Sequence, residues 1–347
     1  MSPRRSFKVA AVCASPVFMD RDATVEKACG LIAEAAGQGA ELIVFPETFI
    51  PTYPMWVWEI PASEGGLMGE LQAELVEQSV EIPGPATDRL CEAARRAGAH
   101  IVMGVNEPVT DTSGSSLYNT IVYIGADGDI LGRHRKLVPT APERLVWTPG
   151  DGSTLEVFDT PLGKIGGLIC WENYMPLARY TMYAQGTQIY CAPTWDCADI
   201  WIATLRHIAK EGGVYVIGCG SPTQVGDIPD SYGFKDQYYG ADDQWINTGD
   251  ATIVDPTGEI LAGPAHKSRE IIYAEIEPGA AQGVKWKLDV AGHYSRPDVF
   301  ELIVNTDERP QLWTASTVDE EPARESKEPA PDSEQLPAGA ARTADSD

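Results

Sequence analysis

The chain has 347 residues, with 26 Lys+Arg against 51 Asp+Glu and a formal net charge of −25. Nucleic acid and acidic lipid surfaces both require clustered cations, so neither is a default partner. Hydrophobic residues make up 43% and charged residues 22%, a globular composition that can bury a sizeable core.

In chain order, 7–15 (FKVAAVCAS) reads as a short buried strand and 23–37 as a helix ended by Gly37 and Gly39. The apolar run ELIVFPET at 41–48 is a second strand that places Glu47 just past its end. A helix at 86–97 leads into the strand HIVMGV at 100–105, and 116–136 forms a hairpin around Asp127-Gly128. A second hairpin spans 153–170, turning at 160–163, with Cys170 closing its second strand. Helix 176–185, strand 188–193, helix 199–210 and strand 214–220 repeat the β-then-α rhythm, and further strands fall at 251–255, 259–262 and 270–276. Mixed strand order with interspersed helices and no internal linker implies one layered α/β domain, with no sequence repeat.

The composition changes after Trp313. Residues 314–347 hold no aromatic residue, four prolines and nine Asp+Glu against three Lys+Arg, which reads as a disordered acidic tail beside a 1–313 domain. Seven cysteines form an odd set without CxxC spacing, and the start lacks an apolar signal-peptide segment. No run is long enough to span a bilayer. The expected setting is a reducing cytoplasm with free thiols.

No phosphate-binding GxxxxGK[ST], dinucleotide GxGxxG, HExxH, EF-hand or GxSxG motif is present, and the five histidines are scattered. Neither a cofactor nor a metal is called for. A thiol mechanism remains. Cys170, in KIGGLICWENYMPLAR, ends an apolar strand at the edge where α/β crevices form. On position alone it is either a structural core thiol or a nucleophile. A nucleophilic thiol needs a base, and Glu47 at another strand end would be desolvated with its pKa raised, unless it is a helix cap or a surface charge. In GRHRK at 132–136, alternation puts Arg133 and Arg135 on one face and His134 and Lys136 on the other. Lys136 is then either part of a solvated basic run or a buried ammonium that needs carboxylate partners and stabilises a developing anion.

Glu47 in FPET, Lys136 in HRKLVPT and Cys170 in CWENYMPLAR resemble the Glu-Lys-Cys triad of the nitrilase superfamily. TPGDG (148–152), APTWD (192–196), RHIAKEGG (206–213) and GHYSRPDVF (292–300) extend the resemblance to the nitrilase branch, with only the tail outside it. The resemblance implies a four-layer α-β-β-α sandwich, extended to eight layers in a dimer that assembles further into spirals or filaments. It implies hydrolysis of a small organic nitrile to acid and ammonia, with Cys170 as nucleophile, Glu47 as base and Lys136 as cation. Glu143 matches a second, structurally important glutamate. The N–H of Trp171 is an oxyanion-donor candidate. His293 and Arg296 match a segment tied to active-site and interface integrity, or form a simple surface loop. Tyr53, Trp56, Trp58, Trp171 and Trp195 flank the triad and form either an aromatic pocket or core packing. A cyanide-degrading relative, an amidase of the superfamily and a non-catalytic scaffold are the alternatives.

Overall fold

The computed structural model describes residues 5–110 and 113–309. The 314–347 segment read above as an acidic tail lies outside the described residues.

Apolar β-branched runs form the strands and Ala-rich amphipathic segments the helices. In order these are β1 (Phe7–Cys13), α1 (Arg21–Gly37), β2 (Ala40–Val44), α2 (Gly65–Glu77), α3 (Pro85–Ala97), β3 (His100–Pro108), β4 (Leu117–Ile124) and β5 (Ile130–Arg135). They continue with β6 (Phe158–Thr160), β7 (Gly163–Gly167), α4 (Pro176–Ala184), β8 (Ile189–Thr194), α5 (Asp199–Gly212), β9 (Tyr215–Gly220) and β10 (Thr223–Gln224). The last are α6 (Phe234–Tyr238), β11 (Trp245–Asn247), β12 (Gly249–Val254), β13 (Ile260–His266), β14 (Glu270–Ile276) and α7 (Pro278–Lys285).

Twelve of these strands make two six-stranded sheets, ordered β14-β1-β2-β3-β4-β5 and β13-β12-β9-β8-β7-β6. Each has three central parallel strands with antiparallel neighbours, β1-β2-β3 in one and β7-β8-β9 in the other. The sheets pack face to face through Val9, Leu42, Val44 and Val102 of one against Ile165, Ile189, Ile217 and Ile253 of the other. Val25, Ala28, Ile32, Leu90 and Ala94 cover the outer face of the first sheet from α1 and α3. Met182, Trp201, Leu205 and Ile208 cover that of the second from α4 and α5. The result is the expected four-layer α-β-β-α sandwich.

The strand placements differ from expectation around the second hairpin. Its first arm shrinks to Phe158–Thr160, because the Asp151 side chain caps a 3₁₀ turn at Gly152–Thr154. Its second arm stops at Gly167, and Cys170 instead opens a 3₁₀ turn, Cys170–Tyr174. Helix α2 was not foreseen because it starts with Gly65-Gly66 and buries only Leu71 and Leu75.

Candidate active site

The parallel strands of both sheets end at one edge, and the chemically active side chains lie just beyond those ends. Glu47 follows β2 through Phe45 and Pro46, Lys136 directly follows β5, and Cys170 lies three residues past β7. One sheet therefore contributes the carboxylate and the ammonium, and the other the thiol. Two glycines make the approach possible. A Cβ on Gly104 of β3 would sit 2.2 Å from the Pro46 carbonyl oxygen, so only glycine lets the Glu47 loop cross there. A Cβ on Gly167 would sit 1.9 Å from the Cys191 carbonyl oxygen.

The backbone is strained at the same places. Thr48, Ala141 and Cys170 have φ of 43°, 45° and 51°, in the left-handed region that costs a non-glycine residue roughly 1–3 kcal/mol. Each is within two residues of Glu47, Glu143 or Cys170, and such strain concentrates where side chains are aimed by their surroundings.

The Lys136 ammonium is fully buried and donates to Glu47 Oε1 at 2.8 Å and Glu143 Oε2 at 2.8 Å. It also lies 5.6 Å from the Trp147 ring centroid. Glu143 sits in the 3₁₀ turn Ala141–Leu145 and accepts further from the Thr140 backbone N–H at 2.6 Å and the Tyr53 hydroxyl at 2.7 Å. Asn119 of β4 accepts the Lys136 backbone N–H at its carbonyl, while its side chain donates to Glu47 Oε1 at 2.7 Å. Glu47 Oε2 is buried and has no hydrogen-bond partner among the described residues.

Burial opposes charge on Lys136, yet Glu47, Cys170 and Glu143 hold its pKa well above the usual ammonium range. Burial raises the Glu47 carboxyl, with Lys136 pulling the other way. The Cys170 thiol is pushed far up by burial and then by Glu47, which outweigh the lowering by Lys136 and the 3.2 Å hydrogen bond from Thr194 Oγ1. Cys170 therefore rests as a neutral thiol, and attack requires a base to remove its proton.

A further buried carboxylate, Glu172, ties the Lys136 and Cys170 segments together. Its Oε1 accepts from the Leu137 backbone N–H at 2.6 Å, one residue past Lys136, and its Oε2 from the Ile169 N–H at 2.7 Å, one residue before Cys170. His134 Nε2 donates to Oε2 at 3.0 Å, and the other ring nitrogen faces the Thr154 carbonyl at 3.1 Å. Burial alone would lower the His134 pKa, but Glu172 raises it.

Tyr53, Trp58, Thr140, Glu143, Cys170, Trp171, Trp195 and Asp196 line a cavity of about 120 Å³ over the thiol. Tyr53 stacks on Trp195 with centroids 4.3 Å apart and accepts from Trp58 Nε1 at 2.9 Å. Trp56 is not part of this wall. It is 1% exposed and packs against Phe18 and Phe234, because its turn directs it into the core while Trp58, two residues on, reaches the cavity. Nor does His293 enter the cluster: it is exposed, with its ring edge-on to Tyr294. Arg296 is exposed and pairs with Asp298. Asn119, Thr194, Glu172, His134 and Asp196 were not foreseen as site residues. For Glu172 the signal was its place two residues after the thiol, and for Thr194 and Asp196 the APTWD segment. Among the described residues no three His, Cys, Asp or Glu side chains gather to hold a metal ion.

A buried ammonium between two carboxylates, facing a neutral thiol beneath a small aromatic cavity, is equipment for hydrolysis through a covalent thiol adduct. Residues 8–285 match the family described as carbon-nitrogen hydrolase. The chain is 43% identical over 302 residues to the bifunctional nitrilase/nitrile hydratase NIT4B of Nicotiana tabacum, covering 84% of each chain. It is 42% identical over 308 residues to the aliphatic nitrilase of Sinorhizobium fredii (strain HH103), covering 88% of this chain and 97% of that one. The crystal structure of Saccharomyces cerevisiae Nit3, from the nitrilase superfamily, shares the fold with a TM-score of 0.66 at 22% identity, over 84% of this chain and 97% of that one. The chain belongs to the carbon-nitrogen hydrolase family, within its nitrilase branch.

Proposed function

We propose that the protein hydrolyses a small organic nitrile to the carboxylic acid and ammonia. The observation that carries this reading is the Lys136 ammonium held at 2.8 Å by both Glu47 and Glu143 beside the Cys170 thiol. The similarity to proteins named nitrilases across most of their length supports the nitrile as substrate.

In this reading Glu47 takes the Cys170 proton through its unpartnered Oε2 as sulfur adds to the nitrile carbon, and that proton passes to the nitrogen. Lys136 has two of its three N–H donors committed to carboxylates, so the third is free to meet the developing nitrogen anion. The Trp171 backbone N–H, which follows the nucleophile directly in the chain, donates as well in this reading. Water, deprotonated by Glu47, then adds to the thioimidate. The nitrogen leaves as ammonia, taking the proton that Glu47 removed from water and the proton of the adduct hydroxyl, and a thioester remains. A second water releases the acid and restores the thiol. Overall, one nitrile and two waters become one acid and one ammonia. Expulsion of sulfur instead of ammonia from the first water adduct yields the amide.

The decisive assay is release of ammonia and acid from aromatic, arylaliphatic and aliphatic nitriles, cyanide and the matching amides. Preference for amides would transfer the reading to an amidase, preference for cyanide to a cyanide-degrading relative, and no turnover would leave a scaffold.

The same reading includes self-association. Leu177 on α4 and Ile200 on α5 are 66% and 64% exposed, which favours a face where two copies pair across helices into an eight-layer dimer. Sizing of the active species tests this and any spiral or filament built from it. Seven free cysteines favour a reducing, cytoplasmic setting, and among the described residues no helix is long and apolar enough to cross a membrane.

A further inference from the structure

We propose that Asp196 selects substrates by the charge at their far end, admitting neutral or ammonium-bearing nitriles and turning away those with a distal carboxylate. The inference rests on the nitrile reading and adds a specificity determinant to it.

The cavity over Cys170 is small, about 120 Å³, so anything longer than a short nitrile must extend out of it. A second cavity of about 350 Å³ shares Trp58, Trp195 and Asp196 with the first and continues past Glu59 and Ile246. Among the described residues no Lys, Arg or His lines either cavity. Lys136 cannot serve a distal carboxylate, since it is fully buried and already held by two glutamates.

Asp196 stands where the two cavities join, and its carboxylate is fixed there. Trp171 Nε1 donates to Oδ2 at 2.8 Å and the Ala198 backbone N–H to Oδ1 at 2.9 Å. Neither donor is a cation, so both bonds orient the charge without cancelling it. Glu59, exposed on the outer wall, adds a second negative charge. Trp58 and Trp171 are 47% and 49% exposed at the same opening, where indole faces attract a cation. A carboxylate passing through would lose hydration between aromatic rings and meet only like charge, whereas an ammonium would find both a carboxylate and π-faces.

The test uses the full-length protein with three matched substrates: 3-phenylpropionitrile and its para-aminomethyl and para-carboxyl forms, with kcat/KM from ammonia release at low salt. The unsubstituted and aminomethyl compounds are expected to exceed the carboxyl compound at least tenfold. Asp196→Asn, which keeps an oxygen for the Trp171 bond, is expected to shrink the neutral-to-carboxylate ratio about tenfold, the scale for one unit charge several ångströms away in a half-wet cleft. Glu59→Gln is expected to shrink it less, and added salt to narrow the wild-type ratio, and these two measurements decide the matter should Asp196→Asn misfold. A wild-type ratio near one, or a ratio that ignores the substitutions and salt while the neutral nitrile is still hydrolysed, would overturn the charge filter alone. No turnover of any of the three while a short aliphatic nitrile is hydrolysed would overturn the charge filter, since no distal group would then reach Asp196, and no turnover of that nitrile, the aromatic nitriles or cyanide either would overturn the nitrile reading together with it.

Discussion

Lys136 and Glu143 face each other at 2.8 Å with side chains that are 0% and 2% exposed. Removing one partner of a buried pair strands the other, which typically costs about 3–5 kcal/mol. Lys136→Met is therefore expected to lower thermal stability sharply, because it leaves two buried carboxylates without their cation. Glu143→Gln should cost less, since Glu47 still neutralises the lysine. The double variant Lys136→Met/Glu143→Gln should recover part of the lost stability with no activity. Thermal melts of the three variants check this. Additive losses would mean that the pair is not coupled.

Cys170→Ala is expected to lower turnover by at least about 10³-fold while the melting temperature stays near that of the wild type, because only a sulfur atom is lost. Glu47→Gln should give a comparable fall with the thiol still present. Ammonia release, measured beside a titration of accessible thiols, separates the two defects. Substantial turnover by the alanine variant would remove Cys170 from the mechanism.

Glu172→Gln tests the link between the catalytic segments. The amide has one acceptor oxygen where the carboxylate had two, so either Leu137 N–H or Ile169 N–H loses its partner. A stability loss of about 1–3 kcal/mol is expected from the unpaired buried donor. A fall of kcat by about 10- to 100-fold with little change in KM should accompany it, since the alignment of Cys170 with Lys136 suffers rather than the aromatic wall. A change confined to KM would contradict a positioning role.

The His134–Glu172 pair also makes a pH prediction. His134 is raised above its ordinary 6.5 in the folded protein, by Glu172 against the effect of burial. Its contribution to stability is therefore complete below pH 6.5 and is lost as pH rises through the elevated folded value. Melting curves taken upward from pH 6.5 should show that decline in the wild type and a flatter profile in His134→Gln. On the kinetic side, the Glu47 carboxyl is raised by burial, so the acid limb of kcat/KM should fall above the ordinary glutamate value of 4.5. Asn119→Ala removes a hydrogen bond that favours the charged form and should move that limb to higher pH.

Gly104→Ala probes the Glu47 loop from behind. The added methyl meets Pro46 O at 2.2 Å and Thr48 N at 2.5 Å, both backbone atoms that cannot rotate away. Displacing the loop should reduce kcat at least tenfold and cost about 1–3 kcal/mol of stability. Ammonia-release kinetics and a thermal melt on one preparation report both.

Glu47 and Cys170 stood out in the sequence because each follows an apolar run, and a strand end is where a buried chain meets a crevice; Lys136 stood out by its alternation with Arg133 and Arg135, and only the family resemblance joined the three. The alternation that set Lys136 and His134 opposite Arg133 and Arg135 holds in the structure: both arginines pair with Glu107, and the lysine and histidine are buried. Contacts between distant segments were not legible. Nothing near Glu172 announces that it will hold Leu137, and nothing near Asn119 announces Glu47. The tryptophans misled for a local reason. Trp56 and Trp58 share the short turn Met55–Trp58, which is too brief for periodicity to say which ring faces the core.

Because the Cys170 thiol comes from one sheet and the Glu47 carboxylate and Lys136 ammonium from the other, the apolar layer between the sheets doubles as an alignment gauge. Val9, Leu42, Ile189 and Ile217 do not line the cavity over the thiol, yet they fix how far one sheet is displaced along the other. Trimming them would shift Cys170 relative to Glu47 by fractions of an ångström, whereas trimming Leu90 or Leu205 beneath the outer helices would loosen a layer that carries neither group. Equal losses of stability in these two kinds of core would carry unequal losses of rate.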